Sequence, residues 1–129
     1  VSLRALVCDD DAPVRAMVRD LLVERGVEVL EARDGREALV LFLQEPRVDL
    51  VVTDFLMPRL DGMQLVRSIR LAGERGRLPV VMMSAISRGH IVDEESRELP
   101  GPDHFVAKPF KPRKLGKLLD EILTGLRRD

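Results

Sequence analysis

Residues 48–62, VDLVVTDFLMPRLDG, constrain the fold more than any other stretch of this chain. Leu50, Val51 and Val52 form a short apolar run with β-branched residues, the composition of a strand buried on both faces, as in a parallel sheet. The run stops at Asp54, and turn chemistry follows at Pro58 and at Asp61 and Gly62. A carboxylate therefore stands where a buried strand ends and a loop begins. In open parallel sheets, ligands bind outside the carboxyl ends of the strands. On this stretch alone, Asp54 is either a functional group at that edge or a turn-former.

The rest of the chain supplies partners for that strand. Residues 3–8 (LRALVC) read as a first strand, followed at once by Asp9, Asp10 and Asp11. Asp11 or Ala12 can cap a helix, and Pro13 suits its first turn. Val14, Met17, Val18, Leu21 and Leu22 recur on one helical face, and Gly26 can end that helix. Residues 27–32 read as a second strand ending near a turn at Asp34 and Gly35. Residues 36–44 read as a second helix with Leu39, Phe42 and Leu43 inward, closed by Pro46. After the third strand, residues 63–72 form a helix with Met63, Val66 and Ile69 on one face, and Gly73 and Gly76 bracket a charged loop. Residues 79–83 (PVVMM) are a fourth buried strand ending at Ser84 and Ala85. Residues 104–107 are a short fifth strand ending at Lys108 and Pro109. Pro112 opens a last helix with Leu115, Leu118, Leu119, Ile122 and Leu123 inward. Alternation calls for a helix within residues 86–101, but Gly89 and the broken spacing of Ile91, Val92 and Leu99 predict a short or irregular one. Strands alternating with helices define an α/β domain with a parallel sheet, and residues 1–129 read as one such domain.

Composition narrows the function. With 129 residues and 45% hydrophobic content the chain can bury a real core. A net charge of −1 offers no basic field for nucleic acid or an anionic membrane, and 3% aromatics without Trp or Tyr make no base-stacking surface. No apolar run approaches membrane-spanning length, and the first residues are no signal peptide. Cys8, the single cysteine, excludes an intrachain disulfide, and its apolar neighbours mark it as a small core residue. These features fit a cytoplasmic location, and the missing initiator Met fits a chain trimmed or processed from its precursor. Nucleotide-binding signatures are absent: no G-x-G-x-x-G or P-loop follows a strand.

Four strands deliver polar groups to their carboxyl ends: Asp9 and Asp10, Asp54, Ser84, and Lys108. In a parallel sheet these ends share one edge. Carboxylates brought together repel and raise one another's pKa, which a hard divalent cation relieves; Mg²⁺ is typically held by one or two carboxylates plus phosphate oxygens and water. A lysine ammonium and a serine hydroxyl suit phosphoryl oxygens, and carboxylates serve as covalent nucleophiles toward phosphorus. The set reads as a place where a carboxylate meets a phosphoryl group and Mg²⁺.

Those residues resemble a known family over nearly the whole chain. Val7-Cys8-Asp9-Asp10-Asp11, the run from Asp54 through Met57-Pro58 to Asp61-Gly62, Ser84-Ala85, and Phe105-Val106-Ala107-Lys108-Pro109-Phe110 are similar to the motifs of response-regulator receiver domains, the phosphoacceptor half of two-component signalling. The resemblance implies a single doubly wound domain, with helices on both faces of a five-stranded parallel sheet in order 2-1-3-4-5, for which a chemotaxis member of this family is a standard example. It implies that Asp54 accepts a phosphoryl group from a histidine kinase or phosphotransfer protein. Asp10 and Asp54 would ligate Mg²⁺ directly together with the Leu56 carbonyl, and Asp9 would act mainly through a metal-bound water. Lys108 would pair with Asp54 and then with its phosphoryl group, Ser84 would be the switch hydroxyl and Phe105 the switch aromatic. Leu56 and Ile86 would flank the approach of the water that ends the phosphorylated state. The bond between Lys108 and Pro109 resembles the family's cis peptide. An output partner of unspecified kind is implied, with no nucleic acid or membrane bound by this chain, and a phosphorylation-dependent homodimer is allowed.

Each role has a plainer rival. Asp9 or Asp11 can simply cap a helix, the preferred reading for Asp11. Ser84 can be a turn hydroxyl, and Phe105 core. Met57 and Met63 read as packing, and His90 and His104 lack ligand-like spacing. Lys111, Arg113 and Lys114 oppose the macrodipole at the start of the last helix and read as a solvated face, with partner docking the sharper alternative. A haloacid-dehalogenase-type hydrolase would need a second aspartate two residues after Asp54, where Leu56 stands. A pseudo-receiver would not need the complete set of Asp9, Asp10, Asp54, Ser84 and Lys108.

Overall fold

The computed structural model describes residues 2–85 and 101–128. Five parallel strands, β1 (Arg4–Cys8), β2 (Glu28–Ala32), β3 (Leu50–Asp54), β4 (Val80–Ser84) and β5 (His104–Ala107), pair in the order β2-β1-β3-β4-β5. Every residue of β3 and β4 is buried, as the unbroken apolar runs predict for strands covered on both faces. β2 and β5 are the edges and are only partly buried. The irregular helix expected within residues 86–101 lies, but for Gly101, outside the described residues.

Side chains alternate across the sheet and feed two cores. Ala5, Val7, Val52, Val81 and Met83 pack beneath α1 (Ala12–Val23) and α4 (Pro112–Arg127). Leu6, Cys8, Val51, Val80 and Met82 pack beneath α2 (Gly35–Gln44) and α3 (Gly62–Arg70). The doubly wound architecture follows from that two-sided alternation. α1 ends as its sequence suggests: Gly26 takes φ +77°, and the Val27 amide donates to the Leu22 carbonyl at 3.1 Å. The charged loop expected after α3 is a 3-10 turn over Gly73–Gly76.

Two local expectations are corrected. Leu43 does not face inward: it is 58% exposed, and the buried stripe of α2 runs through Gly35, Ala38 and Phe42. That i, i+3, i+7 spacing leaves Leu43 rotated by one residue, about 100°, off the sheet-facing line. Asp11 occupies the N-cap position of α1, but its side chain makes no capping bond; its amide instead donates to Asp9 Oδ1 at 2.9 Å. The side-chain caps fall at Asp34, which accepts from the Glu37 amide, and at Asp61, which forms a reciprocal capping box with Gln64.

Candidate functional site

Strand register assembles the site. Cys8 pairs with Thr53 between β1 and β3, so the next residues, Asp9 and Asp54, emerge side by side from neighbouring strands. Asp54 pairs with Met83 and Ser84 with Ala107, which carries Ser84 and then Lys108 to the same edge. The amide of Lys108 donates to the Ser84 carbonyl at 2.8 Å, extending the ladder to the lysine, and a cis bond joins Lys108 to Pro109.

One oxygen each from Asp9, Asp10 and Asp54 lie within 4.8 Å of one another. Trans oxygens around an octahedral Mg²⁺ stand about 4.2 Å apart, so hard oxygen donors at this spacing fit such an ion. Asp9 is fully buried and Asp54 is 7% exposed, whereas Asp10 faces solvent. Lys108 Nζ bridges the two buried carboxylates, 2.9 Å from Asp9 Oδ2 and 3.2 Å from Asp54 Oδ1. Burial raises the pKa of Asp54 above the ordinary carboxylate value, and the neighbouring Asp9 charge adds to this; Lys108 and the Phe55 amide, which donates to Asp54 Oδ1 at 2.9 Å, oppose it. For Lys108 burial acts downward, but the two carboxylates outweigh it and hold the ammonium above its usual pKa. Lys108 is thus a committed cation, while Asp54 is a carboxylate kept charged at a cost.

Backbone geometry holds Asp54 in place. The Gly62 amide donates to the Phe55 carbonyl at 2.8 Å, and a Cβ at Gly62 would lie 2.2 Å from the Asp54 carbonyl oxygen. Glycine is required there because helix α3 starts against the strand end itself. Between them, the Leu60 amide returns to the Pro58 carbonyl at 2.8 Å around Arg59, whose φ is +71°, a tight γ-turn. Beneath the site, the Cys8 thiol lies 3.1 Å from Met57 Sδ and is pushed up to about 12 by burial, which keeps it protonated and unreactive.

The expected residues therefore come together: Asp9, Asp10, Asp54, Ser84 and Lys108 share one edge, with Ser84 buried at 3% exposure. Phe105 is half-buried against the α2/α3 core. Leu56 is 57% exposed in the loop that follows Asp54. Ile86 and His90 lie outside the described residues. Two contacts escaped the sequence reading. Lys108 is shared with Asp9 as closely as with Asp54. Arg15 Nη1 donates to the Asp9 main-chain carbonyl at 2.8 Å, and Arg15 Nε lies 3.4 Å from Glu31 Oε1, bracing the acidic turn. An arginine one helical turn after an acidic cluster is the only signal that could have suggested this.

Fold and site together define a doubly wound α/β domain that gathers carboxylates and a lysine at the carboxyl edge of its sheet, the crevice where such folds bind ligands. The response regulator receiver domain profile matches residues 5–120, and the chain belongs to that family. Among curated relatives, the response regulator MprA of Mycolicibacterium vanbaalenii is 38% identical over 97% of this chain and 49% of its own length. The chain spans about half the length of the curated relatives it matches. Among solved structures, the Vibrio cholerae chemotaxis protein CheY4 superposes with a TM-score of 0.81 at 29% identity, covering 95% of this chain and 99% of that one. The receiver domain of the Pseudomonas aeruginosa sensor histidine kinase PA1611, solved with a magnesium ion coordinated in its active-site cleft, superposes at 0.77 with 26% identity, covering 96% and 99%. Among the described residues, no helix is long and apolar enough to cross a membrane.

Proposed function

We propose that Asp54 is the phosphoacceptor of this receiver domain and that its phosphorylation changes partner binding. The observation that carries this reading is the bridge from Lys108 to Asp54 and Asp9 beside a third carboxylate, Asp10, all at one sheet edge. In the proposed step an Asp54 Oδ atom forms a bond to phosphorus. The P–N bond of a donor phosphohistidine breaks, and its electron pair and a proton return to the imidazole. Asp10 and Asp54 would hold Mg²⁺ together with the Leu56 carbonyl, with Asp9 in a supporting role; when bound, the cation would supply charge neutralisation for the transferring phosphoryl oxygens. The magnesium coordinated in the PA1611 cleft supports a magnesium site in this cleft. Lys108 stays on Asp54 before transfer and takes a phosphoryl oxygen after it, because phosphoryl transfer rests on positioning and electrostatic stabilisation. Ser84 and Phe105 report the new charge to the surface. The domain is a phosphoacceptor that assists its own phosphorylation and dephosphorylation rather than a free-standing enzyme.

The partners on this reading are a histidine kinase or phosphotransfer protein and an output partner, in the cytoplasm, with a phosphorylation-dependent homodimer as one output. Leu56 and Ile86 are apolar where polar side chains would place an attacking water, so the phosphorylated state is long-lived; the exposure of Leu56 supports this for its half of the pair. The test is intact mass after incubation with a small-molecule phosphodonor. One phosphoryl addition in Mg²⁺, lost in chelator and in Asp54→Asn, is expected. A chain that gains no mass under any donor is a partner-binding pseudo-receiver instead.

A further inference from the structure

The proposed chemistry needs Lys108 on a defined line, yet the strand that delivers it is weakly held. β5 has four residues and, among the described residues, is an edge strand paired only to β4. Its far end, however, is tied down heavily. The Asp103 amide donates to the Val80 carbonyl at 2.9 Å, and Asp103 Oδ2 accepts from the Val80 amide at 2.8 Å, so one residue closes both bonds to the first residue of β4. The same carboxylate oxygen accepts from Arg70 Nη2 at 3.0 Å. Arg70 also donates to the Gly76 and Leu78 carbonyls, both at 2.7 Å, and to the Gly101 carbonyl at 2.9 Å. Its side chain is only 8% exposed, and among the described residues its buried Nε has no hydrogen-bond partner, so the bonds that hold the guanidinium there are made by the two Nη atoms.

We infer that Arg70 and Asp103 are positioning residues for Lys108: their clamp fixes the start of β5 against β4, and so the reach of the lysine at its other end. This rests on the proposed phosphoacceptor reading for its activity, not for its geometry. A guanidinium fork with four acceptors is rigid, and charge-assisted bonds are about twice as strong as neutral ones. The four residues of β5 separate Asp103 from Lys108, five steps of extended chain or about 17 Å, a distance over which a short edge strand pivots unless its origin is fixed. The carboxylates proposed for the metal follow β1 (Asp9 and Asp10) or end β3 (Asp54), and none of them contacts Arg70 or Asp103 among the described residues. The clamp therefore acts on the lysine and spares the cation set.

The experiment measures phosphate uptake from a small-molecule phosphodonor at saturating Mg²⁺, with Mg²⁺ affinity titrated separately, for the parent, Arg70→Met and Asp103→Asn. Each is repeated in a Lys108→Met background. Arg70→Met is expected to slow uptake several-fold, to bind Mg²⁺ no more weakly than the parent, and to add no slowing once Lys108 is gone. Asp103→Asn, which keeps an acceptor and loses only charge, gives the same pattern more mildly and serves if Arg70→Met does not fold. Equal slowing in both backgrounds, a parallel loss of Mg²⁺ affinity, or unchanged uptake overturns the inference. Hydrogen exchange gives a readout independent of phosphorylation. The Lys108 amide, bonded to Ser84, should exchange faster in the variants while β3 amides keep parental protection, and unchanged Lys108 exchange overturns the clamp. If the parent takes up no phosphate, the functional reading falls and the exchange data still decide the clamp.

Discussion

Asp54→Asn should make the protein more stable in the absence of metal while abolishing its phosphoacceptor role. Asp54 is buried beside Asp9, and burial followed by that neighbouring charge raises its pKa. With the carboxylate oxygens within 4.8 Å of one another, an effective dielectric constant of about 20 gives a repulsion of about 3.5 kcal/mol per pair. Lys108 at 3.2 Å returns about 5 kcal/mol on the same scale, but it is shared with Asp9. Asparagine keeps the acceptor for the Phe55 amide, recovers the burial cost and the repulsion, and forfeits the attraction. The raised pKa means that burial and repulsion together outweigh the shared lysine, so Asn is favoured, on the scale of about 1 kcal/mol common for a single stabilising substitution. For a chain of this size that is about 3–5 °C in Tm. A raised carboxylate pKa penalises the folded state above that pKa. The gap is therefore full at pH well above it and closes as the pH falls through it toward the ordinary carboxylate range. Saturating Mg²⁺ should reverse the ranking, since ligand at about 100 times its Kd stabilises the parent by about 2.7 kcal/mol. The assay is urea and thermal unfolding of both proteins at pH 8 and pH 5, in chelator and in Mg²⁺. An Asn variant less stable than the parent in chelator at pH 8, or a gap indifferent to Mg²⁺, would refute the reasoning.

Other outcomes follow from single contacts. Asp10→Ala should weaken Mg²⁺ binding at least tenfold in a titration, about 1.4 kcal/mol. Asp11→Ala, whose side chain caps nothing, should change neither metal binding nor unfolding by more than about 0.5 kcal/mol. Gly62→Ala drives a Cβ to 2.2 Å from the Asp54 carbonyl oxygen and should cost at least about 1–3 kcal/mol in the urea midpoint, with slowed phosphate uptake because the strand end must shift. Leu56→Asn should shorten the phosphorylated lifetime in excess Mg²⁺; a decay unchanged or slower counts against a missing water-positioning group.

The sequence carried the strands and their order of polar endings because each buried strand is a continuous apolar run and each run breaks at a residue that chemistry, not packing, requires. It carried less about helix phase. α2 offers apolar residues at Leu39, Val40, Leu41, Phe42 and Leu43, so its pattern alone does not choose a face; the close start of the helix at buried Gly35 chooses it, and Leu43 is left outside. The caps were legible in hindsight as Asp34 with Glu37 and Asp61 with Gln64, spacings masked by reading both sites only as turns. Arg15 on Asp9 and Arg70 on Asp103 were not legible, because long-range side-chain contacts leave no local period. The sharing of Lys108 between two carboxylates belongs to the same class: 99 residues separate it from Asp9, and only the register of four strands brings them to 2.9 Å.

The most direct test of Asp54 as phosphoacceptor is chemical trapping of the modified residue. An aspartyl phosphate is reduced by borohydride to homoserine, whereas a free carboxylate is not. Peptide mapping after phosphorylation in Mg²⁺ and reduction should place homoserine at position 54 and nowhere else, with none formed when chelator replaces Mg²⁺. Homoserine at Asp9 or Asp10, or an unmodified position 54 in a chain that has gained a phosphoryl group, would contradict the assignment.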